Sequence, residues 1–220
     1  MRVTFHRELS SIADVLITMT GLADSAMYSA TRALLTADLA LADSVIAADA
    51  HIDVLHHDLE ERCLRVLALH HPVAIDLRTV LASLRIVSAL ERMGDLARHI
   101  ATIARMRYPD RAVPADLEPT FVDAGRIANA LTQRVAALLA DHDITTVDEL
   151  TAIDDQMDEL HRSVFTTLLH EDWPHGMVAA IDVVLLSRFY ERYADHAVSL
   201  SRRIVEQVTG NLPDRARSSG

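Results

Sequence analysis

Apolar residues return every three or four positions through most of this chain. Between Thr4 and Thr36 the recurring positions are Ile12, Val15, Leu16, Met19, Leu22 and Ala23, which is the period of a helix. A second stretch follows Asp38, a residue suited to cap a helix start, and runs to His70. His71-Pro72 breaks the pattern, and Pro72 suits the first turn of a third helix ending near Arg107. Tyr108 through Pro114 reads as an internal linker. Two further helices are predicted over Asp116–Ala140 and Thr146–Glu171. Trp173-Pro174-His175-Gly176 repeats the break and restart, and a sixth helix runs to Thr209 with Gly210 as its cap. Residues 211–220 read as a flexible tail. Helices of about 25–35 residues are roughly 35–50 Å long. With short connections they pack as antiparallel bundles, so the fold class is all-α.

The chain also repeats itself. Asp49-Ala-His-Ile-Asp53-Val-Leu-His56 on the second helix matches Asp154-Asp-Gln-Met-Asp158-Glu-Leu-His161 on the fifth, both reading D-x-x-x-D-x-L-H. Glu91-Arg92-Met-Gly-Asp95 on the third matches Glu191-Arg192-Tyr-Ala-Asp195 on the sixth, both reading E-R-x-x-D. Two motifs duplicated in the same order predict a tandem of two three-helix bundles, residues 1–109 and 115–210.

Composition narrows the chemistry. Half of the 220 residues are hydrophobic but only 4% are aromatic, and glycine and proline number six each, which argues against a β-sandwich. The formal charge is −11, and the sequence contains no lysine. Such a chain has neither the basic field nor the aromatic platforms of a nucleic-acid binder. Lysine Schiff-base chemistry and a Walker-type phosphate loop are excluded as well. Cys63 stands alone, so neither an internal disulfide nor a cysteine-based zinc site can be built. No signal-peptide core and no membrane-spanning run is present, which makes the cytoplasm the expected compartment. Any approach to the inner face of the membrane would come through partners.

Helical-wheel geometry places the acids. Val73, Leu77, Val80 and Leu84 define an apolar face on the third helix, with Glu91 and Asp95 within about 20° of its centre. Met177, Val184 and Val198 do the same for Glu191 and Asp195 on the sixth. Each half is therefore expected to aim two carboxylates inward. Asp49, Asp53 and His56, like Asp154, Asp158 and His161, fall on the flank of their helix's apolar stripe, which favours an exposed face for them. Buried acids need a partner, because unpaired burial costs several kcal/mol. The candidates are a bound cation, the arginines Arg85, Arg98, Arg188 or Arg202, or water. Among the twelve histidines only His56 and His161 repeat in register.

The paired E-R-x-x-D motifs, together with Pro72-Val-Ala-Ile-Asp76-Leu-Arg78 and Arg188-Phe-Tyr-Glu191-Arg192-Tyr-Ala-Asp195-His196, resemble the PhoU family across about residues 1 to 210. This resemblance implies two similar three-helix bundles, a homodimer, and a cytoplasmic adaptor in place of an enzyme. The adaptor would link the ATPase of the phosphate ABC transporter to a phosphate-sensing histidine kinase and act as a negative regulator when phosphate is plentiful. It further implies iron, zinc or another divalent metal on the pairs Asp49 with Asp53, Glu91 with Asp95, Asp154 with Asp158, and Glu191 with Asp195. The halves depart from equivalence at Leu96 against His196 and at Ser88 against Arg188.

With no glycine-rich loop and no lysine, sensing through the transporter is favoured over direct phosphate binding. The alternative is a di-iron carboxylate helical-bundle oxidase or metal-storage protein. Its ligand signature is Glu-x-x-His, and no Glu here has His three residues on; Asp53-x-x-His56 and Asp158-x-x-His161 come nearest.

Overall fold

The protein was analysed as a computed structural model that describes residues 2–141, 147–170 and 173–209. The described residues form six helices and no strand: α1 (Arg2–Thr36), α2 (Leu39–His70), α3 (Ile75–Arg107), α4 (Glu118–Asp141), α5 (Val147–Leu168) and α6 (Gly176–Thr209). Local chemistry sets the ends. The Asp38 carboxylate accepts a hydrogen bond from the Leu41 amide at 2.9 Å and so caps α2. His71, in the left-handed conformation, closes the same helix. Pro72 is not in the first turn of α3 as expected: Ala74, at φ 51°, intervenes, and the helix begins at Ile75. Gly176 opens α6 at φ 76°, a conformation that glycine adopts without steric cost. The linker after Arg107 is non-helical and holds a cis Tyr108–Pro109 bond. The cap expected at Gly210 and the tail at 211–220 lie outside the described residues.

Contacts between elements define the layers. α1, α2 and α3 pack on one another, as do α4, α5 and α6. Across the two sets, α3 packs on α6 and α1 on α4. The inner helices α1, α3, α6 and α4 therefore form a four-membered ring. α2 covers its α1/α3 edge and α5 its α4/α6 edge, leaving the α3/α6 and α1/α4 edges open. Both cross-pairs are antiparallel. Along α3/α6, His99 meets Phe189 with ring centroids 5.2 Å apart, and further along Arg107 meets Asp182. Along α1/α4, Asn129 reaches Asp24, and Gly125 lies so close to Thr31 that a Cβ there would come within 2.5 Å of Thr31 Cγ2.

The core of this ring is largely aliphatic, with Met19, Met27, Leu90, Met93 and Phe121 all removed from solvent. Two tyrosines of α6 are buried among them. Tyr190 Oη shares a 2.8 Å hydrogen bond with Thr31 Oγ1 of α1. Tyr193 Oη shares one of 2.8 Å with Thr132 Oγ1 of α4 and also donates to the Ala23 carbonyl of α1 at 3.2 Å. Burial pushes both phenols above their ordinary pKa, so each stays neutral. At one end of α3/α6, Arg107 holds the buried Asp182 carboxylate in a two-pronged pair at 2.5 and 3.0 Å.

Arg107→Ala leaves the Asp182 carboxylate buried without a cation. The expected result is a lower urea midpoint, tempered by the solvation of the arginine end of the pair. Tyr190→Phe, which removes one satisfied buried hydrogen bond, is expected to cost about 1 kcal/mol by the same measurement.

Candidate functional site

The four acid pairs form two rows, one along the α2/α3 contact and one along α5/α6. In the first, Arg98 of α3 lies between Asp49 of α2 and Asp95 of α3, with Nε 2.5 Å from Asp49 and Nη2 2.6 Å from Asp95. Gly94 permits this approach, since a Cβ there would come within 2.8 Å of Ile52 and 3.4 Å of Asp49. Burial raises the Asp49 pKa, and Arg98 opposes that shift only in part. Arg92 spans the next turn, contacting Glu91 at 3.5 Å and Asp95 at 3.2 Å. Burial likewise raises Glu91, while the charges of Arg92 and His56 oppose and those of Asp95 and Asp53 add. His56 Nε2 is buried with no hydrogen-bond partner.

The second row is wired differently. Arg188, where the first half has Ser88, lies 2.5 Å from Glu191 Oε2. This is a charge contact and not an aligned hydrogen bond. The His161 ring is held by Ser187 Oγ at 3.0 Å and by the edge of Phe165 at 5.0 Å, and burial followed by the Arg188 charge lowers its pKa. At the other end Val198 occupies the place of Arg98 and Ala194 that of Gly94. Among the described residues no guanidinium consequently bridges Asp154. Its pKa is pushed up to about 7 by burial first and then by Asp158, Asp195 and Asp155, with only Arg202 opposing. Each row thus carries an arginine in direct contact that the other lacks, Arg98 in the first and Arg188 in the second.

The inward aim expected for the E-R-x-x-D acids needs correction. Glu91, Asp95 and Glu191 are half-buried at the rim of the core, and Asp195 is exposed. The reference stripes were tilted, because Val73 and Met177 are each 75% exposed and Leu77 is exposed as well. The exposed face expected for the D-x-x-x-D-x-L-H residues holds for Asp53 and Asp158, but Asp49 is buried and His56, Asp154 and His161 are half-buried. The inside–outside pattern of 81–94 repeats position for position in 181–194 and diverges at 95, where the two rows part.

A carboxylate-rich row with imidazole has the donor chemistry for iron, zinc or another divalent ion. Its geometry here does not match: among the described residues no three His, Cys, Asp or Glu side chains are grouped to hold a metal. For Asp49, Asp95 and Glu191 the neutralising group in contact is a guanidinium. Of the arginines considered from sequence, Arg98 and Arg188 do this, and reading the repeat three residues past Asp95 would have exposed the Arg98/Val198 difference. No described helix is long and apolar enough to cross a membrane.

Comparison with known proteins extends over the same span. The PhoU domain family model matches residues 16–104 and 121–204. The phosphate-specific transport system accessory protein PhoU homolog 2 of Mycobacterium tuberculosis is 45% identical over 213 residues, covering 97% of this chain and 100% of that protein. The PhoU homolog of Deinococcus radiodurans is 31% identical, covering 96% and 99%. The crystal structure of PhoU from Pseudomonas aeruginosa superposes with a TM-score of 0.83 at 26% identity, over 94% of this chain and 100% of that one. That of the phosphate transport system regulatory protein PhoU from Streptococcus pneumoniae gives 0.84 at 22% identity, over 96% and 99%.

Asp154 makes stability depend on pH. Its folded pKa, about 7, lies above the unfolded value of about 3.9, so folding favours the protonated form. The stabilisation is complete below about pH 4 and is lost as pH rises through 7. Asp154→Asn is expected to flatten this slope in urea titrations and to be about 1 kcal/mol more stable than wild type at pH 8.

Proposed function

The chain belongs to the PhoU family, and from that membership we propose that it is a phosphate-transport accessory protein acting as an adaptor between the ATPase of the phosphate ABC transporter and a phosphate-sensing histidine kinase. In this reading it holds starvation signalling off when phosphate is plentiful, and it binds partners without catalysing a reaction. The relatives named for phosphate-specific transport align over nearly their full length, which supports carrying that role to this chain. One structural observation carries the adaptor reading. Exposed apolar side chains gather where α3 begins (Val73, Ile75, Leu77) and again where α6 begins (Met177, Val178, Ile181). Because α3 and α6 run antiparallel, these clusters lie at opposite ends of the molecule. Two like docking ends on helices about 50 Å long suit a protein that contacts two others. The −11 charge would steer its encounters toward basic surfaces.

Residues 1–109 and 115–210 are proposed as the two functional units, with the homodimer as the working form. The acid rows set charge and register between the α2/α3 and α5/α6 helices.

Affinity purification from cells grown in high phosphate is expected to recover both the transporter ATPase and the kinase. Ile75→Arg and Met177→Arg, at exposed positions, are each expected to lose one of the two without lowering the melting temperature. Recovery of neither partner by the unaltered protein would overturn the adaptor role.

A further inference from the structure

The open α1/α4 edge holds a cavity of about 530 Å³, on the opposite side of the ring from the α3/α6 edge. Its floor is Thr31 and Gly125, where the missing side chain lets the two helices close together beneath the opening. Asp24 and Asn129 seal one end, the amide donating to the Asp24 carboxylate at 2.8 Å and to its carbonyl at 3.1 Å. The walls are Tyr28, Leu35, Val122 and Ala130, with Tyr28 55% and Val122 48% exposed.

Charge here runs against the rest of the molecule. Two arginines line it from facing helices, Arg32 of α1 and Arg126 of α4. Arg32 lies over the Tyr28 ring at 5.9 Å from its centre. Arg126 pairs with Asp123 at 3.2 Å, more than half exposed on both sides, which holds it weakly. The lining holds two arginines against one carboxylate, Asp24, in a chain of net charge −11.

We propose that this groove binds a nucleoside phosphate. Forked guanidiniums on opposite walls suit phosphate oxygens, which they can take in bidentate fashion. An exposed phenol ring and aliphatic walls suit a flat base and sugar, and the Gln133 amide offers a polar edge. The volume falls within the ~300–1,000 Å³ of small-molecule sites. Inorganic phosphate alone would leave the apolar walls unused, so the ligand is an organic phosphate. The inference does not depend on the adaptor reading.

Calorimetry on the full chain with AMP, adenosine and inorganic phosphate tests it. Saturable binding of AMP, one per chain and at least tenfold tighter than either fragment, is the expected result. Arg32→Ala and Arg126→Ala should each weaken it at least tenfold, and Val122→Glu, which adds an anion to an exposed wall, should abolish it. Unchanged melting temperatures would show that these variants still fold. Absence of AMP binding, equal binding of phosphate alone, or AMP binding that survives the double arginine variant would overturn the proposal. So would sedimentation showing that Val122→Glu dissociates a dimer while AMP does not bind, which would give the groove to a second copy of the chain.

Discussion

Two phenolic hydroxyls sealed inside a helical ring must find hydrogen-bond partners, because a buried polar group without one costs about 1–3 kcal/mol. Tyr190 and Tyr193 find theirs on different helices, and the bonds from Tyr190 to Thr31 and from Tyr193 to Ala23 cross from one three-helix set to the other. Apolar packing alone would tolerate small slides of one set along the other. Directional bonds of 2.8 and 3.2 Å do not, so they fix the register from which every other cross-contact follows. The close meeting of Gly125 with Thr31 is one consequence, since the same threonine both receives Tyr190 and lies against the glycine.

A fixed register also explains why the acid rows can differ without disturbing the fold. They lie on the outer contacts, α2 with α3 and α5 with α6, away from the ring's centre. There an Arg98/Val198 exchange alters how a carboxylate is neutralised but leaves the ring intact. The first row settles Asp49 with a guanidinium; the second lets Asp154 take up a proton near neutrality. Sequence duplication preserved the scaffold while the electrostatics of its two halves separated.

Much of the fold was legible from sequence because helix ends are local events. Asp38 caps α2 through its own side chain, and the breaks at His71 and Trp173 rest on residues within a few positions. The all-α class was legible because the helical period runs through most of the chain. The orientation of the acids was not, since a wheel assumes that apolar residues mark the core, and Val73, Leu77 and Met177 lie instead at exposed helix starts. Arg107 with Asp182, His161 with Ser187, and the α1/α4 groove depend on which helices become neighbours, and no spacing within one helix encodes that.

The Arg107–Asp182 pair has a mechanical consequence. Antiparallel pairing sets Ala82 and Gln207 at the mirror-related place on the other end of α3/α6, and that couple can form no ion pair. Among the described residues the ion pair therefore sits at one end of the α3/α6 contact, and salt or acid would loosen that end before the other.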